Sequence, residues 1–103
     1  MVLREDHKII VQGAVTIENV VTMTRRGVAL FDEQHVVIDL NKVTEVDSTI
    51  ISMLLEWLRA ARKKGCQLQF INLPANLESL IQLYGIAELI PVMPGHETQQ
   101  RNA

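Results

Sequence analysis

The stretch Glu45–Lys64, EVDSTIISMLLEWLRAARKK, decides how the rest of the chain is interpreted. It begins with Asp47, Ser48 and Thr49, whose side-chain oxygens can accept hydrogen bonds from the free N–H groups of a first helical turn. It ends with three cations and then a glycine, which suits the negative end of a helix dipole and a left-handed cap. The stretch therefore predicts a helix from about Ser48 to Lys64.

The predicted helix has more apolar surface than packing on a sheet requires. One side is an ordinary core stripe, formed by Ile51, Leu54, Leu55, Leu58 and Arg62. Ile50, Met53, Trp57 and Ala60 form a second side, which widens the apolar arc to roughly 220° against the usual ~100°. Either the neighbouring helices bury this second side, or it stays exposed and binds a partner, as Trp and Met often do. The residues alone leave both interpretations open; under the second, which the family resemblance given below favours, Ile50, Met53 and Trp57 are the predicted partner-binding residues.

The two hydroxyls at the start of the helix also admit two interpretations. Ser48 or Thr49 can cap the helix, a contribution of about 1 kcal/mol. Alternatively, one of them is a contact point or a phosphorylation site. A phosphate would add about −1.5 to −2 charges, which a helix N-terminus tolerates and an apolar or acidic partner surface does not.

Outward from this helix, strand and helix patterns alternate along the chain. Strands are predicted at Ile9–Val15, at His35–Leu40 with an extension after a turn at Asn41–Lys42, and at Gln67–Asn72. The alternation predicts a mixed or parallel sheet with helices packed on it. Residues 1–93 are expected to form one domain, and residues 94–103 a disordered polar tail.

Two further helices flank the central one in the predicted order. The first runs from Ile17 to about Phe31 behind Thr16 as cap, and Gly27 weakens its end. Its apolar side is predicted to be Val20, Val21, Met23, Val28 and Leu30. The second runs from Asn76, as N-cap, to Gly85.

Composition excludes several classes of protein. The chain has 103 residues, 48% hydrophobic and 21% charged, which suits one globular domain. A net charge of −2 and 4% aromatic residues argue against nucleic-acid binding. The single cysteine permits no internal disulfide, and no segment resembles a signal peptide or a membrane span. We therefore expect a cytoplasmic protein without direct membrane insertion.

No catalytic or metal-binding constellation is evident. The histidines follow no metal-ligand spacing, and no phosphate-binding glycine motif is present. Cys66 is interpreted as a small buried residue. Asp39, Glu45 and Asp47 could supply a carboxylate pair, but solvated or capping carboxylates are far commoner. We predict no catalytic residues, no metal and no cofactor.

The segment VDSTIISMLLEWLRAARKKG resembles the core motif of the STAS domain, a family named for sulfate transporters and anti-sigma-factor antagonists. HVVIDLNKVTEVD, before it, is similar to the family's strand-loop entry, and CQLQFINLPANLESLIQLYGIAELI, after it, to the family's next strand and helix. The resemblance is closest to one branch, the small STAS subunit of the bacterial phospholipid ABC transporter that maintains outer-membrane lipid asymmetry.

This resemblance implies an α/β, anti-sigma-factor antagonist-like fold, with a four- to five-stranded mixed sheet and helices mainly on one side. It implies no enzymatic activity. The implied partner is the ATPase subunit of the transporter, which also contains permease and substrate-binding subunits, so the chain would be peripheral at the inner membrane. Asp47 falls in the family motif. The key hydroxyl is Ser48 when matched to the transporter branch and Thr49 when matched to the sporulation-type antagonists.

The alternative function is that of an anti-sigma-factor antagonist switched by a serine kinase. Antagonists tend to have glycines after the hydroxyls, whereas this chain has Ile50 and Ser52. That departure favours the transporter subunit. An exposed apolar stripe would also allow the isolated domain to form a homodimer.

Overall fold

A computed structural model of the chain describes residues 1–92. Its elements, in chain order, are β1 (Val2–Glu5), β2 (Lys8–Val15), α1 (Val20–Ala29), β3 (His35–Val46), α2 (Thr49–Lys64), β4 (Gln67–Ile71), α3 (Ala75–Leu83) and a 3-10 helix (Ala87–Leu89). The sheet order is β1-β2-β3-β4; β1 is antiparallel to β2, and the other two pairs are parallel. The predicted α/β class and mixed sheet are confirmed. The predicted tail lies outside the described residues.

The first strand was not predicted, because its charged residues interrupt the apolar pattern that indicates a strand. β1 and β2 form a hairpin in which Glu5 pairs with Lys8, and Asp6 occupies the left-handed region with a φ of 57°. The guanidinium of Arg4 donates hydrogen bonds to the Leu30 carbonyl and, at 2.6 Å, to an Asp32 carboxylate oxygen. These side-chain bonds join β1 to the segment that follows α1.

The turn predicted at Asn41–Lys42 is instead an irregularity within one long strand. Between Ile10↔Asp39 and Gln12↔Lys42, β3 contains one more residue than β2 does. Such a bulge disrupts the ladder locally and moves the inward-facing positions by one residue, while pairing resumes on its far side. The predicted strand and its extension are therefore a single strand.

The helices pack on one face of the sheet. Alternate residues of the strands, such as Ile9, Ile38 and Phe70, are fully buried in one cluster with the apolar sides of all three helices. Ile10 is buried as well, but it lies outside that cluster, because neighbouring residues in a strand point to opposite faces. Over residues 1–92, no helix has the length and apolar character needed to cross a membrane.

The predicted exposure of the second side of α2 is wrong. Ile50, Met53 and Trp57 have exposed fractions of 0%, 1% and 0%. With Leu54 and Ala61 they form a stripe at i, i+3, i+4, i+7 and i+11, which is the face that α2 turns to the sheet and to α1. These three residues therefore cannot bind a partner in the folded domain. The argument for a homodimer, which rested on their exposure, is removed with it.

α1 is the element that covers Trp57. The Trp57 indole N–H donates a hydrogen bond of 2.9 Å to the Thr24 carbonyl, and Gly27 leaves room for the ring because it has no side chain. On the opposite flank, Leu55 is 37% exposed, although the sequence placed it in the core stripe. The buried face of α2 is thus rotated towards α1 relative to the prediction.

Other helix ends depart from the sequence-based expectations by a few residues. α1 begins at Val20 and not at Ile17, since the preceding residues form a separate turn. Pro74, and not Asn76, stands at the N-cap of α3. Gly65 ends α2 in the left-handed conformation with a φ of 75°, as predicted.

Candidate functional site

The carboxylate of Asp47 joins the start of α2 to the loop before α1. One of its oxygens accepts hydrogen bonds from the Thr49 N–H, at 2.9 Å, and from the Thr49 hydroxyl. The other accepts the N–H of Ile17 at 2.9 Å, and the Asp47 N–H donates to the Val15 carbonyl at 3.3 Å. Of the three candidate capping residues, it is therefore Asp47 that accepts a backbone N–H at the start of α2, and it also fixes the position of a loop 30 residues away.

These hydrogen bonds lower the pKa of Asp47. The largest cause is the hydrogen bond from the Thr49 hydroxyl, followed by the one from the Ile17 N–H, because both favour the ionised carboxylate. At neutral pH the site thus carries a fixed negative charge beside the N-terminus of α2, where the helix dipole favours it.

The two hydroxyls that the sequence could not separate have different environments. Thr49 is half-buried, and its hydroxyl is bound to Asp47. Ser48 is exposed, has helical backbone angles and forms no side-chain cap. Among the described residues, the Ser48 hydroxyl has no such bond and faces solvent. It is therefore the one of the two that a partner can reach.

Two exposed apolar side chains lie in and just after the loop that Asp47 ties to the start of α2. Ile17 is 72% exposed and Val21 is 59% exposed. The N–H of Val20 bonds to the Thr16 carbonyl at 2.9 Å, so the turn that carries Ile17 leads directly into α1, where Val21 lies in the first helical turn. We call Ile17, Val21 and Ser48 the head surface.

Sequence reasoning missed Ile17 and assigned Val21 to the core. The only signal for them was their i, i+4 spacing, which places both on one side of the helix predicted from Ile17. That side is opposite the buried Met23 and Gly27. Their exposure depends on the position of α1 over Trp57, and this position is not encoded locally.

The structure does not bring the three predicted acidic residues together. Asp39 accepts hydrogen bonds from the Asn41 N–H at 2.9 Å, Asn72 at 3.2 Å and Lys8 at 3.4 Å. Burial raises its pKa, but these hydrogen bonds and the Lys8 charge outweigh burial, so the pKa is lowered. Glu45 is exposed and joins neither Asp39 nor Asp47.

Cys66 is half-buried, with its Sγ 4.0 Å from the Phe31 carbonyl. Within residues 1–92, no group of three or more His, Cys, Asp or Glu side chains is placed to hold a metal ion. His96, one of the three histidines of the sequence, lies outside that range.

Comparisons with known proteins bear on the fold and on the family of the chain. A search of curated proteins finds no match. Three solved structures have a similar fold. The unphosphorylated anti-sigma factor antagonist SpoIIAA has 11% identity and a TM-score of 0.70, over 98% of this chain and 93% of that one. An anti-sigma-factor antagonist (STAS) domain protein from Planctomyces limnophilus has 14% identity and a TM-score of 0.69, over 96% and 92%.

The third similar structure is the STAS domain of a SulP transporter from Vibrio cholerae, with 19% identity and a TM-score of 0.54, over 90% of this chain and 80% of that one. At such identities the likeness shows the fold alone. The family is shown by the sequence, because the family model described as "Mlab, STAS domain" matches residues 3–91. The chain, which presents its Asp-Ser-Thr motif where a parallel strand ends and α2 begins, belongs to the MlaB-type STAS domain family.

Proposed function

We propose that this chain is a non-enzymatic cytoplasmic subunit that binds and stabilises the ATPase of a phospholipid ABC transporter. In this proposal it is held at the inner membrane through a complex that also contains the permease and substrate-binding subunits. Membership of the MlaB-type family supports the proposal. The observation that carries it is that one carboxylate, Asp47, binds the N–H of Thr49, next to the exposed Ser48, and the N–H of the exposed Ile17, and so ties the two segments together at one end of the domain.

The head surface has the features of a protein contact. Ile17 and Val21 supply apolar area that no other described part of the chain covers, and Ser48 supplies a polar group that can donate or accept a hydrogen bond. Asp47 limits the motion of the loop that carries Ile17, so little conformational entropy is lost when a partner binds. The head surface thus replaces the buried Ile50, Met53 and Trp57 as the proposed docking surface.

One observation favours the alternative function, an anti-sigma-factor antagonist. The Ser48 hydroxyl is exposed, so a kinase could reach it. The hydroxyl that matches the antagonists, however, is that of Thr49, which already donates its proton to Asp47. A phosphate on Thr49 would break that bond and place its charge against a carboxylate, an unfavourable arrangement. We therefore prefer the transporter subunit.

A pull-down from native membranes with the full chain as bait distinguishes the two functions. Recovery of an ATPase together with a permease supports the transporter subunit. Recovery of a kinase-like anti-sigma factor without a transporter would replace it with the alternative. The Ser48→Ala variant is the informative companion, since Ser48 makes no capping bond and its replacement should leave folding intact while lipid transport falls. Unchanged transport in that variant would argue against a contact role for Ser48.

A further inference from the structure

A groove separates the C-terminal halves of α1 and α2. Its volume is about 400 Å³, and it is lined by Val28, Glu56, Arg59, Ala60, Lys63 and Lys64. Val28 and Ala60 are half-buried side chains that pack against the core, so they form an apolar floor. The charged residues form the rim. We call this feature the α1–α2 groove.

The rim is positively charged although the chain as a whole has a net charge of −2. It holds three cations against one carboxylate, and that carboxylate, Glu56, is bound by Arg59 at 2.9 Å. The ammonium of Lys64 donates to the Val28 carbonyl at 2.8 Å, which fixes it at the wall of the groove. Of the carboxylates that the structure describes, none lies within salt-bridge distance of Lys63 or Lys64.

The groove continues the head surface along α1. Val21 and Val28 share one side of this helix, at i and i+7, roughly 10 Å apart, and Ile17 lies in the turn before it. A protein interface of ordinary size covers that length. A partner seated on the head surface would therefore extend over the α1–α2 groove.

We propose that the α1–α2 groove binds an acidic segment of the ATPase subunit, with a carboxylate between Lys63 and Lys64 and an apolar side chain on Val28 and Ala60. This inference rests on the proposed function and names the second half of its interface. Complementary charges of this kind steer association and fix the register of the two proteins.

A protein segment fits the groove better than a membrane surface does. Recognition of anionic lipids through charge alone uses clusters of about 4–8 Lys or Arg. The groove has three cations, one of which is neutralised by Glu56. Its apolar floor, which lies between two helices, also suits a side chain.

The test measures the affinity of the full chain for the purified ATPase subunit by calorimetry, at low and at high salt. Lys63→Glu should weaken binding by about tenfold or more and reduce its salt dependence, because the substitution places like charges together. Arg62→Glu is the matched control: both residues are exposed cations in the last turn of α2, but Arg62 faces away from this groove, towards Leu58 and Cys66. The affinity of the Arg62→Glu variant for the ATPase subunit should stay within about twofold of the wild-type value.

Each other result contradicts part of the account. Equal affinities for the wild type and Lys63→Glu would overturn the groove assignment and leave the proposed function standing, whereas a wild-type chain that does not bind the ATPase would overturn both. Vesicles containing phosphatidylglycerol test whether the groove binds a membrane surface instead of a protein segment. If Lys63→Glu abolished vesicle binding and left ATPase binding unchanged, the groove would be a lipid site and the proposal would be wrong.

Discussion

The indole of Trp57 lies directly against the backbone of Gly27. A Cβ atom built on Gly27 would lie 2.5 Å from Cε2 and 2.6 Å from Nε1 of the ring, closer than real Cβ atoms come to other atoms. The ring also packs edge-on against Phe31, with the centroids 6.2 Å apart. Trp57 therefore holds α1 onto α2, and its role is to stabilise the domain.

The first prediction concerns Gly27→Ala. In an exposed helix this change would stabilise by about 1 kcal/mol. Here the new methyl group meets the indole, so we expect a net destabilisation of about 1–3 kcal/mol, as for other overpacked cores. Urea unfolding followed by circular dichroism measures it, with Thr22→Ala on the exposed side of α1 as control. A Gly27→Ala protein as stable as the wild type would show that α1 is not in this position.

Truncation of the tryptophan should destabilise the isolated domain. Trp57→Ala is expected to cost about 3–5 kcal/mol, as is usual when a large core aromatic is removed. Trp57→Phe should cost less, since it keeps a ring and loses only the hydrogen bond to Thr24 and part of the packing. Circular dichroism is the appropriate probe, because Trp57 is the sole tryptophan. Wild-type stability of Trp57→Ala, combined with lost partner binding, would restore the docking role that the structure denies.

Adjacent leucines on α2 provide a paired test of which face is buried. Leu54 has an exposed fraction of 0% and Leu55 of 37%. Leu54→Ala should cost about 2–5 kcal/mol because it leaves a cavity, and Leu55→Ala should cost well under half of that. The difference in the free energy of unfolding is measured by urea titration. Equal costs would mean that the helix is rotated from the position described.

Acid titration tests the role of Asp47. Its pKa is lower in the folded state than the ~3.9 of an unfolded chain. Its ionised form therefore stabilises the fold above about pH 4, and this stabilisation is lost as the pH falls through the folded-state pKa. Asp47→Asn should reduce stability at neutral pH, since an amide has one acceptor oxygen and cannot accept the bonds from both Ile17 and Thr49 as the carboxylate does. It should also flatten the fall in stability below pH ~4, since an amide does not titrate there.

The matched control for the acid titration is Glu45→Gln, which removes an exposed carboxylate two residues earlier. It should leave the wild-type acid profile in place. If Asp47→Asn and Glu45→Gln gave the same unfolding profile between pH 3 and 7, the hydrogen bonds to Asp47 would contribute nothing to stability.

Much of the fold followed from periodicity and end signals. The parallel strands and α2 appeared near their predicted positions because buried strands and a Gly-terminated helix have strong local patterns. The edge strand β1 was missed although its partner β2 follows at once in the chain, because its four residues, two of them charged, are too few for a clear alternation. The bulge in β3 was mistaken for a turn, since Asn41–Lys42 has turn composition and its ladder partners are not visible in sequence.

The candidate site was predicted in part. Asp47, Ser48 and Thr49 were identified as the motif. Which of their side chains caps α2 depends on the backbone angles, and here it is the Asp47 carboxylate. Burial of Trp57 by a neighbouring helix was one of the two interpretations of the sequence, but it was not preferred, and Gly27 was interpreted only as a residue that weakens a helix. A wide apolar arc on a helix indicates that something covers it, and here α1 of the same chain does so.

The affinity of the purified ATPase subunit for two variants tests the central claim most directly. Ile17 and Leu83 are 72% and 77% exposed, and both lie outside the core, but only Ile17 belongs to the head surface. If the ATPase binds there, Ile17→Asp weakens binding by about tenfold or more and Leu83→Asp leaves it unchanged, with both variants folded by circular dichroism. Equal affinities for the two variants, or a greater loss with Leu83→Asp, would contradict the account.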